Sequence, residues 1–245
     1  AVVQSALEVD VDCEVAESNK GRQETSPFSF DLTTLQRHAS NLWRWSAKYT
    51  LEIAQTLYEE YKLTTYPRTD SRHLPTDMRD SINELITDLS KQDNYSEHCR
   101  NLTDNGLSNA SRNFNDAKVS DHFAIIPTGN NPPANLPAPA MQLYDHITRR
   151  FLASFHPTAS WLDTKRVATK SDQILTAKAS ILEVEGWRAV IPKSNTAPEG
   201  WGVLAATPCA GTIAAIEVQQ KETKPPPRMK DAGVLSAMEN AGKII

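Results

Sequence analysis

The spacing of apolar residues changes twice along the chain, and this change restricts the fold more than any other feature. Residues 7–15 alternate apolar and acidic side chains, which is the two-residue period of a half-buried strand. From Asp31 the period becomes helical, and beyond Pro157 short β-type runs return at 165–169, 174–179 and 213–218. The order strand, helices, strands predicts an α+β fold in which a helical domain is inserted into one sheet-forming domain.

Apolar residues at helical spacing predict five helices. Thr76 is the expected N-cap of the third helix, which begins after Pro75. The last helix is expected to turn Val234, Leu235 and Met238 inward. The predicted helices run from 31 to about 39, over 46–61, from 76 to 89, over 141–155 and over 231–240.

Three segments are predicted to be irregular. Residues 18–22 have the composition of a turn, so a hairpin with the segment before Pro27 is expected. Residues 92–111 are polar and rich in Asn and Ser, which predicts loops around at most a short helix. The prolines between 130 and 139 predict an extended connector.

Composition limits the classes of protein that this chain can represent. Of the 245 residues, 39% are hydrophobic and 23% charged, which is typical of a soluble globular protein. No apolar run approaches the ~20 residues of a membrane span, and no signal peptide is visible at the first residues. Cys13, Cys99 and Cys209 are far apart and odd in number, which suggests neither a disulfide framework nor a zinc cluster. A cytoplasmic protein is therefore expected.

The formal net charge of −4 argues against a protein that coats nucleic acid through charge alone. Any contact with nucleic acid must then be local. One basic group lies between 62 and 79, and a second consists of Lys165, Arg166 and Lys170. A solvated surface of mixed charge explains the second group equally well.

Residues 62–72, KLTTYPRTDSR, combine reactive side chains with a backbone that cannot be helical. Pro67 lacks an N–H group and favours extended backbone before it. Side chains two apart then share a face, so Tyr66, Arg68 and Asp70 are expected to project together. A phenol can attack phosphorus, a guanidinium can bind phosphate oxygens, and a carboxylate can hold the guanidinium. The alternative is an ordinary loop in which an Arg and an Asp form a surface ion pair.

Residues 63–72, followed by Leu74 and Pro75, resemble the active-site segment of type IA DNA topoisomerases, and most closely that of the bacterial topoisomerase III branch. Other stretches resemble the same family: DLTTLQ at 31–36, TLEIAQTLYE at 50–59, NFNDAKVSDHFAIIPT at 113–128 and LYDHITRRFL at 143–152. The resemblance implies a discontinuous β-rich arch domain over 1–27 and 156–224. It also implies an α-helical domain over 28–155 that carries the tyrosine, and the start of a further DNA-binding domain, cut off, at 225–245.

The resemblance further implies an ATP-independent isomerase that acts on single-stranded DNA through a transient 5′-phosphotyrosyl bond. Tyr66 would be the nucleophile, Arg68 would neutralise charge on the phosphate, and His122 would orient or donate to it. Phe123 departs from the family, in which a polar residue usually follows this histidine. The residues expected to contact DNA are Lys62, Asp70, Arg72, Lys118, Gln36 and Gln55.

The family also uses Mg²⁺, held by a glutamate and an Asp-x-Asp motif in a separate domain. Asp10 and Asp12 have this spacing, but they lie in the alternating strand pattern and lack an upstream glutamate partner. The Mg²⁺ ligands are therefore expected outside this chain, and no metal site is expected within it. The chain is expected to be a monomer and, alone, not to relax supercoiled DNA.

Two other classes of protein remain open from the sequence. A non-catalytic module could bind single-stranded DNA by stacking bases on Tyr66 and nearby aromatic rings. A tyrosine recombinase also uses a tyrosine nucleophile, but there the tyrosine normally follows its Arg and His residues, whereas Tyr66 precedes His122. The polarity of the protein-linked phosphate distinguishes the recombinase from the topoisomerase.

Overall fold

The computed structural model of the chain describes residues 11–217, 219–226 and 228–241. These residues form a mixed α and β fold, as predicted, and they divide into two compact units. The sheet unit comprises 11–24, Ala159–Glu185 and Lys193–Pro226, and the helical unit comprises Thr25–Thr158, Gly186–Pro192 and 228–241. The assignment of these segments to an arch and to a further DNA-binding domain stays a prediction.

The elements follow the chain in the predicted order of strand, helices and strands. The strands are β1 (Val11–Glu24), β2 (Ala159–Lys170), β3 (Gln173–Val184) and β4 (Cys209–Ile213). The helices are α1 (Leu32–Trp43), α2 (Ala47–Glu59), α3 (Arg79–Leu89), α4 (Ser96–Asn105), α5 (Ala110–Asn113), α6 (Ala138–Phe155) and α7 (Asp231–Glu239). No described helix has both the length and the apolar character needed to cross a bilayer.

The sheet unit is an antiparallel sheet with the strand order β3-β2-β1-β4. The predicted turn at 18–22 is wrong, because β1 continues through it and pairs with β2 from Glu14↔Thr169 to Glu24↔Ala159. This ladder outweighs the local turn preference of Ser, Asn and Gly. Of the predicted strand at 7–15, residues 7–10 lie outside the described residues, and the rest belongs to β1.

The predicted strand at 213–218 is also largely wrong. The β4 strand ends at Ile213, because its register is fixed by pairing with β1 from Val15↔Cys209 to Val11↔Ile213. Residues 214–217 have β-type composition but no assigned strand. The partner strand, rather than local propensity, decides which residues pair.

The core of the helical unit is built around α6, which packs against α2, α4, α5 and the short turn Gly186–Ala189. The side chains of Tyr144, Ile147, Phe151 and Phe155 are fully buried, as their spacing predicts. Each such side chain contributes roughly 1.5–3 kcal/mol through removal from water. This helix is therefore the element that fixes the positions of its neighbours.

Three helical predictions need correction. Thr76 does not cap a helix: it lies in a 3₁₀ turn, and its N–H and hydroxyl groups donate to the Asp116 carboxylate at 2.8 and 2.6 Å. The polar stretch 92–111 contains the ten-residue α4. The side chains of Cys99 and Leu102 are buried and anchor this helix to the core. Two buried side chains are enough to stabilise this short helix, because tertiary packing contributes more to helix stability than local propensity does.

The orientation predicted for α7 is wrong. Val234 and Met238 are 44% and 69% exposed, and the buried residue is Ala232. A small side chain allows close approach to α1, where the N–H of Ala232 donates to Oγ of Ser40 at 3.2 Å. Polar contacts between the two helices thus replace the expected apolar seam.

Candidate active site

The Tyr66 segment begins where α2 ends and the chain reverses. Lys62 has a φ of 55°, in the left-handed region that costs a non-glycine residue ~1–2 kcal/mol. Its carbonyl accepts hydrogen bonds from Oγ1 of Thr128 at 2.7 Å and from Nδ2 of Asn130 at 2.9 Å. Leu63 is then fully buried. These contacts fix the direction in which the chain leaves α2.

Residues 66–72 form neither helix nor strand and bend at Pro67, and burial alternates along them from Pro67 to Arg72. Pro67, Thr69 and Ser71 point inward, whereas Arg68 and Arg72 are exposed. Asp70 is exposed on the same side. This alternation separates a structural face of small side chains from a charged face that is open to solvent.

The structural face is bound to the segment 118–128 by buried hydroxyl groups. Thr65, Thr69 and Ser71 each donate a hydrogen bond from the side-chain oxygen to a backbone carbonyl of that segment. The acceptors are Ala124 at 2.9 Å, His122 at 2.9 Å and Lys118 at 2.7 Å. The hydroxyls therefore hold two distant parts of the sequence side by side, and sequence reasoning did not predict this role.

This pairing places His122 beside Tyr66. Their ring centroids are 4.4 Å apart, and Tyr58 of α2 also contacts the Tyr66 ring, with a centroid distance of 5.4 Å. Tyr66 is half-buried and His122 is exposed. No described residue hydrogen-bonds the Tyr66 hydroxyl, which is free to meet a substrate.

Arg68 is oriented by a residue other than the one expected. The amide oxygen of Gln55, in the orientation that satisfies its hydrogen bonds, accepts from Nε and from a terminal nitrogen of Arg68 at 3.3 and 3.1 Å. Asp70 instead accepts from the hydroxyl of Ser120 at 2.9 Å. The expected Arg68–Asp70 contact is therefore wrong. Among the described residues no carboxylate forms an ion pair with Arg68, so its charge remains available for an anion.

The remaining predicted residues occupy different environments. Lys62 and Lys118 are exposed. Arg72 lies with Nε 3.5 Å from a carboxylate oxygen of Asp31. Gln36 is buried, and its amide nitrogen donates to the carbonyl of Ala47 at 3.0 Å, which ties α1 to the start of α2. Gln36 is thus not presented on the surface with the others.

Three cationic side chains act on the buried imidazole of His73. His73 is buried, and its pKa is lowered first by burial and then by the charges of Lys118, Arg72 and Arg112. Burial and the neighbouring cations therefore both disfavour the charged form of His73. Within the described part of the chain, no group of three or more His, Cys, Asp and Glu side chains could hold a metal ion.

The chain belongs to the family whose model is described as DNA topoisomerase, which matches residues 2–243. This match and the relatives below confirm the predicted resemblance to type IA topoisomerases of the topoisomerase III branch.

Among curated proteins, the chain is similar to DNA topoisomerase 3 of Bacillus subtilis, with 36% identity over 234 residues, and to DNA topoisomerase 3 of Vibrio cholerae, with 30% identity over 235 residues. These matches cover 92% and 94% of this chain but only 32% and 36% of the relatives. The chain thus spans about a third of their length. Among solved structures, the full-length topoisomerase I of Thermotoga maritima matches with a TM-score of 0.72 and 22% identity, covering 98% of this chain and 39% of that one. This likeness supports the fold.

Proposed function

We propose that this chain is the nucleophile-bearing part of a topoisomerase that cuts and rejoins one strand of DNA. In the whole protein this reaction would change DNA topology, by relaxation or decatenation, without ATP. The observation that carries the proposal is the Tyr66 hydroxyl, which no described residue hydrogen-bonds, on a ring in contact with His122. Arg68, two residues later, is held by Gln55 and forms no ion pair with a described carboxylate. Family membership supports it.

The proposed reaction is a reversible transesterification. Oη of Tyr66 attacks the phosphorus of a phosphodiester, the bond from phosphorus to the 3′ oxygen breaks, and the 3′ oxygen takes up a proton. One phosphodiester replaces another, so no external energy source is needed. A phenol has a pKa of about 10 in water, so its proton must leave as the new bond forms.

Arg68 would stabilise the charge that grows on the non-bridging phosphate oxygens. Gln55 holds the guanidinium through its amide oxygen and adds no negative charge that would compete with phosphate. One preorganised donor of this kind typically contributes roughly 3 kcal/mol to transition-state stabilisation. His122, in contact with the Tyr66 ring, would orient the phosphate or donate a hydrogen bond to it.

The Mg²⁺ that the family uses does not fit the described residues, which offer no cluster of ligands. We place its ligands in a part of the whole protein outside this chain, and the steps above involve Tyr66, Arg68 and His122 alone. The chain alone should therefore fail to relax supercoiled DNA. We also propose that it is monomeric, acts on single-stranded DNA and works in the cytoplasm.

A trapping experiment tests the proposal in the whole protein that carries this chain. Single-stranded oligonucleotides labelled at either end are incubated with the protein, denatured with detergent and separated on a denaturing gel. We expect the 3′-labelled fragment to migrate with the protein, and Tyr66→Phe to abolish this adduct while DNA binding persists.

Two other outcomes would contradict the proposal. Retention of the 5′-labelled fragment would indicate a 3′-phosphotyrosine and a recombinase. The absence of any adduct, with binding intact, would indicate a non-catalytic module that binds single-stranded DNA.

A further inference from the structure

One face of the sheet unit carries a groove of about 490 Å³ lined by cationic side chains. The register of the strands places Ser18, Lys165 and Lys178 in one row across β1, β2 and β3. Lys20 lies opposite Asp163 in the next row, and Arg22 lies opposite Trp161 in the row after it. Directly opposed residues share a face, so these side chains project together. The charged residues of the groove are Lys20, Arg22, Asp163, Lys165 and Lys178.

The single carboxylate of this groove, that of Asp163, already has hydrogen-bond partners. Asp163 accepts from Nε of Arg22 at 2.7 Å and from the hydroxyl of Ser180 at 2.6 Å, and these two contacts lower its pKa. Among the described residues, neither Lys20, Lys165 nor Lys178 forms an ion pair. The groove lining therefore carries four cationic side chains against one carboxylate, a net charge of +3, on a chain whose net charge is −4.

The pairing of Lys165 with Lys178 is unfavourable without an anion. The two residues are direct partners across β2 and β3, and like charges in this position destabilise a sheet. Phosphate bound between them would remove the repulsion. Lysine suits this role because its ammonium group is a point charge with three donors that can be reoriented.

The three residues of the predicted basic group, Lys165, Arg166 and Lys170, do not share one face of the sheet. Successive residues of β2 point to opposite faces, so Arg166 and Lys170 leave the face of Lys165. Arg166 donates to Glu17 at 2.8 Å and lies 4.1 Å over the Trp201 ring. The cationic cluster of the groove is instead formed by one lysine from each of β1, β2 and β3. Because these strands are distant in sequence, the cluster could not be predicted from neighbouring residues.

We propose that this groove binds the sugar-phosphate backbone of a second stretch of nucleic acid, without reading its sequence. The proposal rests on the proposed function, because a protein that cuts and rejoins DNA has DNA as its polyanionic substrate. Trp161, the aromatic residue of this face, is 1% exposed and cannot stack on bases. The groove thus offers charges and hydroxyl groups, which suit phosphates rather than bases. All its residues belong to the sheet unit, whereas Tyr66 belongs to the helical unit.

The test measures DNA affinity of the 245-residue chain by fluorescence anisotropy between 50 and 200 mM NaCl. Labelled single strands and duplexes of one sequence are compared for the wild type and for the variant Lys20→Gln, Lys165→Gln, Lys178→Gln. Each lost phosphate contact lowers the slope of log K against log salt by about 0.9 for duplex and about 0.7 for single strand. We expect a slope less steep by about two to three for the nucleic acid that occupies the groove.

A matched variant, Lys48→Gln, Lys221→Gln, Lys224→Gln, removes the same charge from exposed positions outside the groove. It should keep most of the wild-type slope. Loss for the duplex alone or for the single strand alone identifies the ligand. Equal losses in the two triple variants, or a wild-type chain that binds neither DNA at 50 mM NaCl, would overturn the proposal.

A single substitution separates binding from stability. Lys178→Glu would pair with Lys165 across the strands, so we expect a higher Tm than wild type together with weaker DNA binding. A higher Tm with unchanged binding would show that the face is only solvated. Formation of the Tyr66 adduct is scored separately, so failure of the groove and failure of the proposed function give different results.

Discussion

Replacing Thr69 by valine removes one hydroxyl group that joins the Tyr66 segment to the His122 segment. In the structure this hydroxyl donates to the carbonyl of His122 at 2.9 Å and accepts from the N–H of Ser71 at 3.1 Å. Thr69 is only 6% exposed, so water cannot readily replace either partner. Valine keeps the volume and the branched shape, and the change therefore isolates the two hydrogen bonds.

The expected cost follows from these two contacts. A buried polar group that loses its partner costs ~1–3 kcal/mol, and the two groups share one hydroxyl, so we expect a loss of about 2–3 kcal/mol in the free energy of unfolding. For a chain of this size that corresponds to a fall in Tm of about 4–12 °C. Formation of the Tyr66 adduct should fall as well, because His122 loses its fixed position.

Thermal and urea denaturation followed by circular dichroism measure this loss. The matched control is Thr87→Val, which removes one exposed hydrogen bond to the carbonyl of Asn83 inside α3. Such surface changes usually stay within about 0.5 kcal/mol. If Thr69→Val is no more destabilising than Thr87→Val, the hydroxyl contacts do not hold the two segments together.

Three further predictions concern other parts of the helical unit. Gln55→Leu should slow adduct formation in the whole protein about tenfold, measured by quenched-flow gels, because Arg68 loses a charge-assisted hydrogen bond; an unchanged rate would contradict this orienting role. Gly186→Ala should lower the Tm, because φ is +49° and the new Cβ would lie 2.5 Å from the carbonyl oxygen of Thr158; an unchanged Tm would contradict it. Burial, followed by the charges of His146 and Arg150, lowers the pKa of His38 to about 4. Between about pH 4 and pH 6.5 the unfolded chain therefore binds a proton at His38 that the folded chain does not bind. The free energy of unfolding should be unaffected by His38 above about pH 6.5 and should decrease as the pH falls toward 4. Urea titrations of the wild type and His38→Phe check this: the decline should be smaller in the variant, and equal declines would contradict it.

Local chemistry was sufficient where a residue constrains its own backbone. Pro67 predicted that this segment is not helical, and the structure confirms it, although the chain bends at Pro67. The alternation of charged and small residues predicted the alternating burial from Pro67 to Arg72. The apolar stripe of α6 predicted the centre of the helical core for the same reason. In these segments the local preference and the tertiary contacts agree.

Predictions failed where a partner distant in sequence decides the outcome. The turn expected at 18–22 becomes strand because β2, more than 130 residues later, pairs with it. Arg68 is held by Gln55 of α2, 13 residues earlier, rather than by the nearby Asp70, whose carboxylate accepts from Ser120. No spacing rule within a short window includes these contacts.

The candidate site shows the same limit. Tyr66 and His122 could each be singled out through their motifs, but the contact between their rings depends on hydroxyls whose acceptors lie 47 to 59 residues away in sequence. Thr69 and Ser71 alternate with charged residues, which was the one available signal of an inward-facing role. Their carbonyl partners could be identified only in the folded chain.

The central claim is that the hydroxyl of Tyr66 becomes covalently attached to DNA. The most direct measurement is mass spectrometry of nuclease-treated and protease-treated adducts, trapped from the whole protein on single-stranded DNA. We predict a nucleotide linked through its 5′-phosphate to the peptide that contains Tyr66. A nucleotide on any other residue, or a linkage through a 3′-phosphate, would contradict the account.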